Sequence, residues 1–104
     1  MDVGYYANMA EAALLYRHRQ DFDDGAILEA IVWKLARPIA GSAHPYKYRL
    51  FYGYRGERVI GYDNERSKGD HRHYRQRESA YTFVSPERLI DDFLADVALE
   101  RSRS

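Results

Sequence analysis

Tyr46-Lys47-Tyr48-Arg49-Leu50-Phe51-Tyr52-Gly53-Tyr54 decides the fold. Tyr46, Tyr48, Leu50, Tyr52 and Tyr54 fall on alternate positions with Lys47, Arg49, Phe51 and Gly53 between them, and side chains two apart share a face only in a strand. The tyrosine row is read as a core face in preference to a base-stacking platform, although aromatic rows beside Lys and Arg serve that purpose too. Arg55-Gly56 is short enough for a tight hairpin turn, and Arg58 to Asp63 returns as the partner strand.

Upstream, Ala13 to Arg19 alternates as a strand with one polar face. Asp21-Phe22-Asp23-Asp24-Gly25 then reads as a hairpin turn, because Asp bonds its own backbone and Gly accepts positive φ. Ile27 to Leu35 fits a strand better than a helix through Ile31-Val32-Trp33, and its apolar residues on both faces predict a central strand covered on each side. Pro38 ends regular pairing, and Gly41 to Pro45 reads as a connection. Residues 1–12 are expected to form a short helix or loose arm.

Downstream, Ser79 to Val84 is a short strand candidate. Ser85-Pro86-Glu87 starts a helix: Ser accepts a free backbone donor, Pro fits the first turn and Glu suits the positive end of the dipole. Leu89, Ile90, Phe93, Leu94 and Val97 give that helix one apolar face, with Asp91, Asp92, Asp96 and Glu100 mostly outside and Arg101 to Ser104 expected to fray. The fold class is α+β: an antiparallel sheet of about four or five strands with a C-terminal helix packed on one face.

At 104 residues the chain is long enough for one domain and too short for two, so residues 1–104 are taken as one unit. Cysteine is absent, which excludes disulfides and thiolate metal sites. No stretch approaches a membrane span and the N-terminus lacks a signal-peptide pattern, so a cytoplasmic protein without membrane association is expected.

Function is sought between strand and helix, in Tyr62 to Tyr74, read as a loop. The formal net charge is zero, yet Arg66 to Arg77 carries five Lys or Arg residues, two histidines and a single acid. In an extended segment His71 and His73 project to one side and Arg72 to the other. Two histidines make an incomplete metal site, so acid–base chemistry at phosphate without metal or cofactor is preferred, with Asp63 or Asp70 orienting an imidazole. Lys68, Arg72, Arg75 and Arg77 are the candidate phosphate contacts, with Tyr74 beside them as a candidate nucleic-acid contact. Asn64 and Gly69 are read as structural, capping and permitting a tight bend.

Tyr62-Asp63-Asn64-Glu65, Lys68-Gly69-Asp70-His71-Arg72-His73, Tyr81-Thr82-Phe83 and Leu89 to Val97 resemble the TumE family of small toxin proteins, as do Val32-Trp33 and Ser42-Ala43-His44 with Tyr46 to Leu50. The likeness runs from about Leu14 to Val97, with the N-terminal arm outside it. It implies a toxin of a bacterial or archaeal type II toxin–antitoxin system, encoded beside a helix-turn-helix antitoxin; the resemblance itself assigns no catalytic set. RNA or the ribosome is the expected target, with metal-independent ribonuclease action as one reading and a non-catalytic module binding nucleic acid or antitoxin as the other. Self-association is left open. The antitoxin is expected to cover Lys68 to Arg77 directly.

Overall fold

Six strands follow one another in the chain and lie in the same order across one antiparallel sheet: β1 (Ala13–Asp21), β2 (Ala26–Lys34), β3 (Tyr46–Tyr54), β4 (Glu57–Glu65), β5 (Gly69–Tyr74) and β6 (Arg77–Ala80). Among the described residues a single helix, α1 (Pro86–Arg101), packs on β3 and β4. This is a computed structural model, and it describes residues 12–103; the expected arm lies, but for its last residue, outside them.

The meander forms because each connection carries its own turn chemistry. Asp24 accepts from the Ala26 N–H at 3.0 Å and Gly25 has φ 93°, closing β1 on β2. Arg55 and Gly56 both have positive φ, 53° and 81°, which is the backbone whose twist matches a two-residue hairpin. Gly69 has φ 77°, so the expected bend is there. Asn64 serves otherwise than as a cap: it is fully buried, accepts from the Tyr48 N–H at 3.0 Å and donates to the Tyr46 carbonyl at 2.7 Å, supplying rungs between β3 and β4.

The sheet is wider than the expected four or five strands because the basic stretch is itself a strand. Gly69–Tyr74 pairs with β4 on one side and β6 on the other. The strand expected over Ser79 to Val84 is found earlier, as β6. Beyond it Tyr81 and Phe83 leave the sheet to bury their rings, Tyr81 edge-on to Tyr62 at 5.0 Å and Phe83 stacked on His44 at 3.9 Å.

One face of the sheet holds the core. Leu28, Val32, Tyr48, Leu50, Ile60, Leu89 and Phe93 are each 2% exposed or less. Burial of such side chains contributes about 1.5–3 kcal/mol apiece. The tyrosine row is thus a core row through Tyr48, Leu50 and Tyr52, while at its ends Tyr46 is half-buried and Tyr54 exposed. β2 is covered on this side only, for Ile27, Ile31 and Trp33 on its other side are half-buried. The second cover expected for β2 is not supplied by any described element.

Ser85 caps α1 by accepting from the Arg88 N–H at 3.1 Å, with Pro86 in the first turn. Asp91 is exposed as expected, but three acids read as outward turn back to tyrosine hydroxyls. Tyr81 donates to Asp92 at 2.6 Å, Tyr62 to Asp96 at 2.5 Å and Tyr74 to Glu100 at 2.8 Å. A buried phenol needs an acceptor, and the helix supplies one per turn. Arg101, expected to fray, is held over the Phe22 ring at 3.8 Å and donates to the Tyr52 hydroxyl at 2.9 Å.

Candidate functional site

The opposite face of the sheet carries no helix among the described residues, and there the strand register builds two adjacent rows. Arg17, Ile31, Arg49, Asp63, His71 and Ala80 are successive cross-strand partners; Arg19, Glu29, Phe51, Gly61, His73 and Glu78 form the next row. Because β5 is extended, His71 and His73 share this face, with ring centroids 6.5 Å apart. Asp63 lies beside them, so three of the four predicted catalytic side chains are together.

His73 is only 8% exposed and both its nitrogens are engaged. Nδ1 lies 3.1 Å from Arg58 Nη2, and a guanidinium can only donate, so Nδ1 accepts and Nε2 carries the proton. Nε2 faces Asp63 Oδ1 at 3.4 Å. Gly61 makes this arrangement possible: a Cβ there would stand 2.7 Å from Arg58 Cδ, so glycine lets the arginine stem cross the sheet to the histidine. His71 donates through Nε2 to the Lys68 carbonyl at 2.6 Å, which leaves a lone pair on Nδ1. That Nδ1 is buried and makes no hydrogen bond. Lys47 flanks the site on this face. Burial lowers its pKa, while Asp63 and Glu65 pull it back up.

The remaining predicted residues lie elsewhere. Asp70 points to the helix side of the sheet, accepting from Tyr48 at 2.6 Å and facing His44 Nε2 at 2.9 Å, so it orients neither predicted histidine. His44 Nδ1 accepts from the Tyr46 N–H at 3.2 Å, so both nitrogens of that imidazole are taken up in holding the β2–β3 connection. Arg72 also turns to the helix side, donating to Asp96 at 2.9 Å and to the Tyr62 hydroxyl at 3.1 Å. Lys68 sits 3.4 Å from Glu65. Tyr74, Arg75 and Arg77 line a shallow groove of about 880 Å³ at the β5–β6 turn, together with Arg58, Val59 and Glu57. Within it Arg75 is paired with Glu100 at 2.7 Å, whereas Arg77 makes no ion pair among the described residues.

Sequence reasoning missed Arg49, Arg58 and Glu78. Arg49 stands opposite Asp63 in the register, with its guanidinium 6.0 Å from the Phe51 ring centre. Glu78 places its two oxygens 3.3 Å from His71 Nδ1 and 3.5 Å from His73 Nδ1. Alternation in Tyr46 to Tyr54 already put Arg49 on the face away from the tyrosines; Arg58 and Glu78 became visible only through pairing. Among the described residues no group of three His, Asp or Glu side chains is placed to hold a metal ion. No helix of the described residues is long and apolar enough to cross a membrane.

The chain belongs to the toxin TumE family, whose model matches residues 2–101. The match starts well before Leu14, so the N-terminal segment is part of the family pattern and no departure from it. No curated protein and no solved structure matches the chain. Membership makes the protein the toxin of a toxin–antitoxin pair.

Proposed function

We propose that this toxin acts on RNA, binding it over the uncovered sheet face and cutting it with His71 and His73 as an acid–base pair. One observation carries the reading: two imidazoles, Asp63, Arg49 and Arg58 converge on two neighbouring rows of the face that no described helix covers. In strand cleavage a ribose 2′-hydroxyl gives its proton to a base while its oxygen attacks the adjacent phosphorus, and an acid protonates the departing 5′-oxygen. His71, with its lone pair on Nδ1, is the base. His73 is the acid and must carry protons on both nitrogens, its charge offset by Asp63. Protonation of Nδ1 then frees Arg58 to face the phosphate, where positive charge stabilises the transition state. Arg58 and Arg77 extend the cationic surface along the groove.

A second reading is a binding module without catalysis, favoured by the burial of His73 and the engagement of both its nitrogens. Replacing both histidines by Gln keeps hydrogen-bonding capacity and removes proton transfer near neutrality. Expressed alone in a bacterial host, the wild-type protein should arrest growth with loss of bulk RNA integrity, and the double variant should do neither while still binding RNA. Arrest by the double variant would favour the binding module. The partner assigned is a helix-turn-helix antitoxin from a neighbouring gene, and the shared compartment is the cytoplasm. Coverage of Lys68 to Arg77 by that antitoxin would make RNA and antitoxin compete; an RNA affinity unchanged at saturating antitoxin would exclude occlusion.

A further inference from the structure

We infer that the carboxylate of Glu78 occupies a phosphate-binding subsite formed by His71, His73 and Arg58, and acts as its gate. The two oxygens of Glu78 span the pair, one 3.3 Å from His71 Nδ1 and the other 3.5 Å from His73 Nδ1, with Arg58 Nη2 3.1 Å from the latter nitrogen. An anion facing two imidazoles, one of them bonded in turn to a guanidinium, marks a place that a phosphate could take.

The fit of the carboxylate is incomplete. His71 Nδ1 remains buried without a hydrogen bond although Glu78 is its neighbour, and a buried polar atom without a partner calls for an explanation. A carboxylate offers two oxygens in one plane. A tetrahedral phosphate offers more, so with Nδ1 of each imidazole protonated and Arg58 released from His73 it can meet both rings and the guanidinium together. Glu78 can leave at little cost, since its side chain is 57% exposed and sits on β6, a four-residue edge strand. The subsite rests on the RNA reading for its natural ligand, a phosphodiester, but not for its existence.

Inorganic phosphate is the probe, titrated into wild-type protein, Glu78→Ala and Glu78→Gln while the imidazole 15N resonances of His71 and His73 are followed. Removing a negative charge within 4 Å should tighten phosphate binding at least about tenfold in both variants. Both imidazoles should respond, and adding His71→Gln to Glu78→Ala should abolish the gain. Binding that is unchanged or weaker in both Glu78 variants, or a gain that persists without His71, overturns the subsite. A short RNA is then added to phosphate-loaded Glu78→Ala. Displacement of phosphate supports a phosphodiester ligand; failure to displace it, with the phosphate gain intact, leaves the subsite standing and counts against the RNA reading.

Discussion

Arg72 donates through Nε to Asp96 Oδ2 at 2.9 Å, and this bond ties the middle of β5 to α1. It reaches away from the histidines on either side of it in sequence, so a cation that reads as a phosphate contact is a brace. Arg72→Ala should therefore lower stability, by about 1–2 kcal/mol for a partly exposed charged hydrogen bond, and leave RNA affinity nearly unchanged. A double-mutant cycle with Asp96→Ala should show coupling between the two losses. Additive losses, or RNA affinity that falls with Arg72, would contradict the assignment.

Phe93 is fully buried and meets Tyr62 edge-on at 6.0 Å. Phe93→Ala should cost about 3–5 kcal/mol, a large share of a small domain's stability. Urea unfolding gives the value. A loss under about 1 kcal/mol would mean that α1 is peripheral to the core.

Three tyrosines should resist alkali. Burial, reinforced by the hydrogen bonds to Asp70, Asp96 and Asp92, holds the phenols of Tyr48, Tyr62 and Tyr81 above the ordinary tyrosine range. Their folded pKa values are raised, so the stability they contribute is complete below about pH 10, where unfolded tyrosine titrates, and is lost as the pH climbs above it. Absorbance at 295 nm with parallel urea melts checks this: these phenols should ionise only as the protein unfolds. Ionisation of all three in the native state near pH 10 would contradict it.

The cations on the uncovered face and in the groove should account for the salt dependence of RNA binding. Arg58→Ala and Arg77→Ala should each flatten the slope of log K against log salt by about 0.7, the value for each phosphate neutralised on a single strand. Lys68→Ala, whose cation already faces Glu65, should change it less. Equal effects at all three positions would deny the groove a special part.

Much of this was legible in the chain. Alternation in Tyr46 to Tyr54, the turn residues at Asp24-Gly25 and the Ser85-Pro86 cap act through local geometry, and each element stands where those rules put it. The same alternation predicted that His71 and His73 would share a side and Arg72 oppose them. What local rules could not give was register. The five cations and two histidines of the Arg66 to Arg77 stretch outweighed its strand pattern, yet pairing to both β4 and β6 makes most of it a strand. Register also decides that Asp63 and Glu78 meet the imidazoles, while Asp70, adjacent to His71 in sequence, goes to the other face. The helix acids were misplaced for a similar reason. Outward-facing carboxylates and acceptors for buried phenols have the same helical spacing, and only the tyrosines beneath distinguish them.

The central claim is that His71 and His73 transfer protons in RNA cleavage. Purified wild-type protein, His71→Gln and His73→Gln are incubated with a short labelled RNA under conditions in which all three bind it equally, and the product ends are identified. The wild type should give 2′,3′-cyclic phosphate and 5′-hydroxyl ends, and each substitution should slow cleavage by about 10²–10⁴-fold, the usual contribution of a general acid or base. Cleavage by both variants at the wild-type rate, or no cleavage by the wild type while it binds RNA and arrests growth, would contradict the claim.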